Sequence, residues 1–195
     1  TSDHGDMHGS HGRIDKMVPY AEAIDVPVMV RWPGHVRPDT VSNTLFTPMD
    51  FMPTLCGLTG LPAPSECDGI DLSTDVLGTA VTPRESVMIM NYSSNWDFLQ
   101  SGTQWPEWRG VRSPRYTYCR WLTGEEELYD NDADLYQMTN LAGDPAHAAS
   151  LADLRLRLDA HLTDAHDSLR PGTDFASWFS HDRRLLATAL GPVTS

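Results

Sequence analysis

Cysteine is scarce in this chain. Three residues among 195, at positions 56, 67 and 119, are too few and wrongly spaced for a zinc cluster or a disulfide framework, and at most one disulfide can form. Positive charge is scarce as well. Against 27 Asp+Glu stand only 14 Lys+Arg, a formal net charge of −13, which argues against a nucleic-acid partner because such proteins display a basic face. No apolar run approaches the roughly 18 residues of a membrane span, so no membrane partner is expected. The first residues are not a signal peptide, and the compartment is left open. There is no internal repeat and no low-complexity tract. An initiator methionine is missing too: the chain opens on Thr1-Ser2-Asp3-His4-Gly5-Asp6, its densest chemical segment.

What is present is globular. Forty per cent hydrophobic residues and 9% aromatics suit one domain or a little more. Residues 3–16 gather Asp3, His4, Asp6, His8, His11, Asp15 and Lys16 among Gly5, Gly9 and Gly12. Glycines let the backbone turn tightly and approach a bound group closely. Asp and His are metal ligands or acid–base groups, and lysine is a mobile point charge suited to an anion. Such a loop normally follows a strand that positions it. The expectation is therefore that upstream sequence has been lost or lies on another chain.

Further along, residues 19–25 read as a short helix or turn and residues 26–32 (V-P-V-M-V-R-W) as a buried strand closed by Pro33-Gly34. Thr47 before Pro48 marks a helix start, with Met49, Met52, Leu55 and Cys56 at helical spacing, Pro53 as a bend and Gly60 as the stop. Residues 61–85 read as irregular surface. Residues 87–91, 108–111, 116–121 and 127–130 read as four short strands of a small antiparallel sheet. Asp144-Pro145 opens the clearest helix, over about 146–166, with Leu151, Leu154, Leu158 and Leu162 on one stripe. The last residues, 171–195, are expected to wrap or trail.

The segment S-D-H-G-D-M-x-G-S-H-G-x-x-D-K-M at residues 2–17 resembles half of the metal-binding motif of type I sulfatases, members of the alkaline-phosphatase-like superfamily. The resemblance continues in order: P-Y-A-E-A-I-D-V-P-V-M-V-R-W-P-G (19–34), M-D-F-M-P-T-L-C-G-L-T-G (49–60), D-G-I-D-L (68–72), W-R-G-V-R-S-P-R-Y-T-Y (108–118), and E-L-Y-D (127–130) with N-L-A-G-D-P (140–145). It departs at Asp25, where the family often has Arg, and at Thr117, where it often has Lys. The larger departure is an absence. The sulfatase nucleophile is a formylglycine made from Cys or Ser in Cys/Ser-x-Pro-x-Arg, and none of the 14 prolines here has Cys or Ser two positions before it.

The resemblance implies an α/β fold. In it, this chain supplies the last strands of a mainly parallel sheet (residues 1–85), a small antiparallel sheet packed with a C-terminal helix (86–170) and a tail (171–195). It implies sulfuric ester hydrolysis by metal-assisted attack of a formylglycine in a missing N-terminal portion. One divalent cation, calcium by family habit, would be held partly by Asp3 and His4; His4 is alternatively a hydrogen-bonding partner of the substrate's bridging oxygen. Lys16 would contact the sulfate oxygens. His11 would line or support the pocket. The partners implied are a small-molecule or saccharide sulfate ester, the missing portion, or a second copy of the chain. Two rival functions stay open: a phosphodiesterase or phosphonate monoester hydrolase of the same superfamily, and a non-catalytic domain that binds sulfated ligands. Trp105, Trp108 and Trp121 are either pocket walls or sheet packing. Arg109, Arg112, Arg115 and Arg120 are the only basic cluster, and strand alternation should split them between two faces.

Overall fold

A computed structural model describes residues 1–92, 107–182, 184–188 and 191–193. Its centre is an antiparallel sheet of β1 (Val87–Asn91), β2 (Trp108–Arg112), β3 (Tyr116–Trp121) and β4 (Glu126–Asp130), hydrogen-bonded in that order. The register sets Trp108 opposite Trp121 and Val111 opposite Tyr118, with Tyr118 in turn opposite Leu128. Because successive side chains point to opposite faces, this register sorts the strands into two layers. Val111, Tyr118 and Leu128 form one core with Leu151, Leu154, Leu158 and Leu162. Trp108, Cys119, Trp121 and Tyr129 form the other, with Met7, Val18, Tyr20 and Ala23.

The four leucines belong to α4 (Ala148–Asp164), whose spacing of three and four residues puts them on the sheet-facing stripe. Asp144 caps the single turn before it, its carboxylate accepting from the Ala146 backbone N–H at 2.9 Å, with Pro145 at the first position. Leu158 is wholly buried between α4 and the sheet. Leu158→Ala should cost about 2–5 kcal/mol, the usual range for emptying a core leucine site, read as a lower denaturant midpoint at unchanged slope.

The second layer is the one that matters for chemistry. Here the sheet is covered by the N-terminal loop and by the short α1 (Ala21–Ile24). Met7 is inserted into the core, and Trp108 Nε1 donates to the Met17 carbonyl at 3.0 Å. The Ala21 N–H donates to the buried Gln137 side chain at 2.7 Å. Trp108 and Trp121 are therefore packing residues, meeting edge to face with centroids 6.3 Å apart; Trp105 lies outside the described residues.

Residues 41–85 contribute α2 (Phe51–Thr59) and α3 (Ser73–Leu77). Helix α2 starts from a turn at Pro48–Asp50 and stops at Gly60, as the spacing predicts. Pro53 falls in its first turn, where a missing N–H costs no helical bond. The buried Asp50 ties this region together. Its carboxylate accepts from the Thr47 backbone at 2.7 Å, the Thr47 hydroxyl at 2.9 Å, the Ile70 backbone at 3.0 Å and Arg84 at 2.5 Å. Burial works to raise the Asp50 carboxyl, but the Ile70 and Thr47 hydrogen bonds and Arg84 outweigh it and hold it below the usual range. The motifs at 49–60 and 68–72 are thus two ends of one structural clasp.

Residues 26–32 are the departure. They form no strand, and Val28, Met29 and Val30 are 41%, 82% and 46% exposed. A strand needs a neighbour about 4.8 Å away to pair its backbone, and among the described residues no strand lies beside this run. Further apolar side chains stand bare at Val41, Met49, Met52, Leu55 and Leu61. The chain exposes 12562 Å², against roughly 9,200 Å² expected for a compact protein of its mass.

Candidate active site

The N-terminal loop is held by its backbone. The Gly5 N–H donates to Ala23 O at 2.9 Å, Met7 N–H to Asp15 O at 2.9 Å and Gly9 N–H to Arg13 O at 2.8 Å. Three non-glycine residues, His8, His11 and Asp15, have φ of 44°, 54° and 74°, a sparsely populated region kept only where surroundings over-determine it. Gly5 is fixed by close approach: a Cβ there would lie 1.9 Å from the Glu22 carbonyl oxygen. Gly5→Ala should therefore push the loop off α1 and destabilise the chain by about 1–3 kcal/mol. Thermal unfolding measures it.

Asp3, His4 and Lys16 come together on this loop. The Asp3 carboxylate accepts from the Ser2 hydroxyl and from the His4 N–H, both at 3.1 Å. Its own backbone N–H, the Ser2 hydroxyl and the nearby His4 ring hold it below the usual carboxylate range. Ser2 also donates to the His4 carbonyl at 2.9 Å. His4 Nδ1 lies 2.7 Å from the Gly5 carbonyl, and His4 Nε2 lies 2.7 Å from Lys16 Nζ and 3.4 Å from Asp3 Oδ2. A carbonyl only accepts and an ammonium only donates. The proton is therefore on Nδ1, and Nε2 presents a lone pair.

That donor set suits a hard cation. Two ligands at right angles about an ion at about 2.4 Å lie about 3.4 Å apart, the separation found between Asp3 Oδ2 and His4 Nε2. A ring N–H bonded to a backbone carbonyl also orients metal-binding histidines generally. Two donors do not complete a site, since calcium takes six to eight, and among the described residues no group of three or more His, Cys, Asp or Glu could hold an ion.

His11 does not join the cluster. Its ring stacks flat on Tyr20, centroids 3.9 Å apart and 7° from parallel, and its Nε2 lies 2.9 Å from the Tyr136 carbonyl. These contacts pin the loop to α1 and to the segment after β4. His8 is exposed and pairs with Asp6, Nδ1 to Oδ1 at 3.3 Å. Ser2 and the Gly5 carbonyl are the members that the spacing of charged residues did not reveal, because a serine and a backbone oxygen carry no signature of their own; the only available signal was their adjacency to Asp3 and His4.

The other candidates are occupied elsewhere. Arg109 is buried against Asp167 at 2.6 Å, Arg112 pairs with Asp25 at 3.1 Å, Arg115 with Asp130 at 2.6 Å and Arg120 with Asp159 at 3.0 Å. The alternation does separate them: Arg120 reaches α4 and Arg112 reaches the residue after α1. All three cysteines are free, and burial, then Glu127, pushes the Cys119 thiol up, so it is protonated at neutral pH.

Comparison with known proteins places these residues in context. Residues 9–164 match the profile of the family described as N-sulphoglucosamine sulphohydrolase, C-terminal. The chain is 34% identical over 173 residues to a Delta 4,5-hexuronate-2-O-sulfatase of Bacteroides thetaiotaomicron, covering 87% of this chain and 35% of that protein. It superposes on a solved 2-O GAG sulfatase with a TM-score of 0.74 at 32% identity, over 89% of this chain and 36% of the other. A phosphonate monoester hydrolase of Agrobacterium radiobacter shares the fold, with a TM-score of 0.64 at 22% identity over all of this chain and 38% of its own. The chain thus spans about a third of the length of the relatives it matches.

Proposed function

Because this chain belongs to the sulfatase family, within the alkaline-phosphatase-like superfamily, we propose that the protein hydrolyses an organic sulfate ester, and that this chain supplies one wall of the catalytic site. What supports the reading is the convergence of an acid, a lone-pair imidazole nitrogen and an ammonium within one loop. A divalent cation, calcium by its preference for oxygen donors, would supply charge to polarise the ester. Asp3 and His4 would be two of its ligands. Lys16 would offset negative charge on the transferring sulfuryl oxygens, an electrostatic contribution of about 2.7–4 kcal/mol for a well-placed donor. His11 would hold the loop rather than touch the substrate, given its stacking on Tyr20.

The nucleophile, a formylglycine, and the remaining ligands would come from sequence outside these residues, and the bare apolar run at Val28–Val30 would be covered by the same portion. A sulfated saccharide is the favoured substrate class, since the hexuronate sulfatase is 34% identical. Paired arginines leave no open basic strip for a polyanion among the described residues, which favours a short substrate over a long one.

The test is the substrate preference of the intact protein. Turnover of an aryl sulfate that is lost with a calcium chelator and regained with Ca2+ is expected; preference for an aryl phosphodiester over the sulfate would transfer the site to the phosphonate hydrolase branch. The 195-residue chain on its own should show no sulfatase turnover and should self-associate through its bare apolar run. Clear activity of a monomeric preparation would refute that division of labour.

A further inference from the structure

The loop holds one acceptor and two claimants for it. His4 Nε2 carries a single in-plane lone pair, and Lys16 Nζ occupies it at 2.7 Å. The Gly5 carbonyl, 2.7 Å from Nδ1, keeps the ring's proton on the other nitrogen. Gly5 itself cannot rotate away, since its N–H is bonded to Ala23 and its α-carbon is pressed on the Glu22 carbonyl. The imidazole is therefore locked with its lone pair facing Lys16 and Asp3. A cation held between Asp3 and His4 needs that same lone pair, at about 2.3–2.6 Å, and it repels an ammonium at such range. One nitrogen lone pair does not serve both.

We propose that Lys16 is parked on His4 when no cation is bound and that cation binding through Asp3 and His4 displaces it, so that the ammonium is released to the anion only in a loaded site. The proposal rests on the cation reading above and deepens it. Lys16 is suited to the exchange: its stem is a flexible four-carbon chain, its side chain is half-buried, and no carboxylate is recorded as its partner. The exchange couples two binding events. Without the cation, the anion meets a lysine already engaged; with it, the positive charge of the ammonium becomes available where the sulfuryl group must lie. Ordered binding, cation before anion, is the consequence.

The sequence makes the test clean, because Lys16 is the sole lysine among the 195 residues. In the chain labelled with 15N-lysine and 15N-histidine, the cation-free spectrum should show one hydrogen-bonded ammonium signal coupled across the bond to one imidazole nitrogen, both features disappearing in His4→Gln. Titration with Ca2+ alone should shift the His4 Nε2 resonance, abolish the coupling and speed ammonium exchange at least tenfold, while Na+ at matched ionic strength does neither. If Ca2+ shifts His4 and the coupling persists, the exchange is wrong and the cation reading stands. If saturating Ca2+ leaves both Asp3 and His4 unmoved, the cation reading falls and the exchange with it. Loss of the coupling with Na+ would equally overturn the proposal, since screening would then explain it.

Discussion

Lys16→Met in the intact protein is expected to lower kcat/KM for an aryl sulfate by about 10²–10³, the range for removing one well-placed donor from a developing anion. Most of the loss should fall on kcat, because the charge acts where negative charge grows and less on the bound ester. Lys16→Arg should rescue little. The ammonium is a compact point charge on a thin stem, whereas the guanidinium is a planar fork that cannot place one N–H on the lone pair of His4 in the same space. Steady-state kinetics of the three proteins decide it: equal rates for Lys16→Met and the parent would remove Lys16 from the chemistry.

Asp50→Ala should be the most damaging single change to stability. Asp50 is fully buried and satisfies four donors, one of them Arg84, whose side chain is itself largely buried. Removing one partner of such a pair leaves an uncompensated buried charge, at a cost of about 3–5 kcal/mol. The pH dependence has a definite sign. Because the folded Asp50 carboxyl is held below its ordinary value of 3.8, its contribution is complete above that value and is lost as pH falls through the lower folded value. Asp50→Asn should therefore cost most at neutral pH, with the gap from the parent narrowing in acid. Denaturant unfolding between pH 7 and pH 3 measures this; a gap constant with pH would show that Asp50 is not an ionised anchor. No catalytic role is needed to explain why an aspartate stands there.

The elements that were legible in the sequence are those whose burial is settled within the chain. The four strands over 87–130 alternate across a sheet whose two faces are both covered, and the leucine stripe of α4 meets one of them. The run at 26–32 has the same apolar composition and forms no strand here, since composition cannot state whether a pairing neighbour is present. The site divides likewise. Asp3, His4 and Lys16 were readable from residue type and order, because a cation and an anion need those groups. His11 shares that signature, and only the stacked Tyr20 and the Tyr136 carbonyl show it serving the loop.

By itself, then, the order of residues determined the family, the antiparallel sheet with its helix, and which groups could carry charge chemistry. It did so because hydrophobic period and ligand chemistry are local properties of a chain. Folding decided what no local pattern contains. It turned the Gly5 carbonyl toward His4 Nδ1, so that the lone pair faces Lys16 and Asp3, and it sent each arginine of the sheet to a different carboxylate. A hydrogen bond depends on direction as well as on identity, and direction exists only once distant segments have packed against one another.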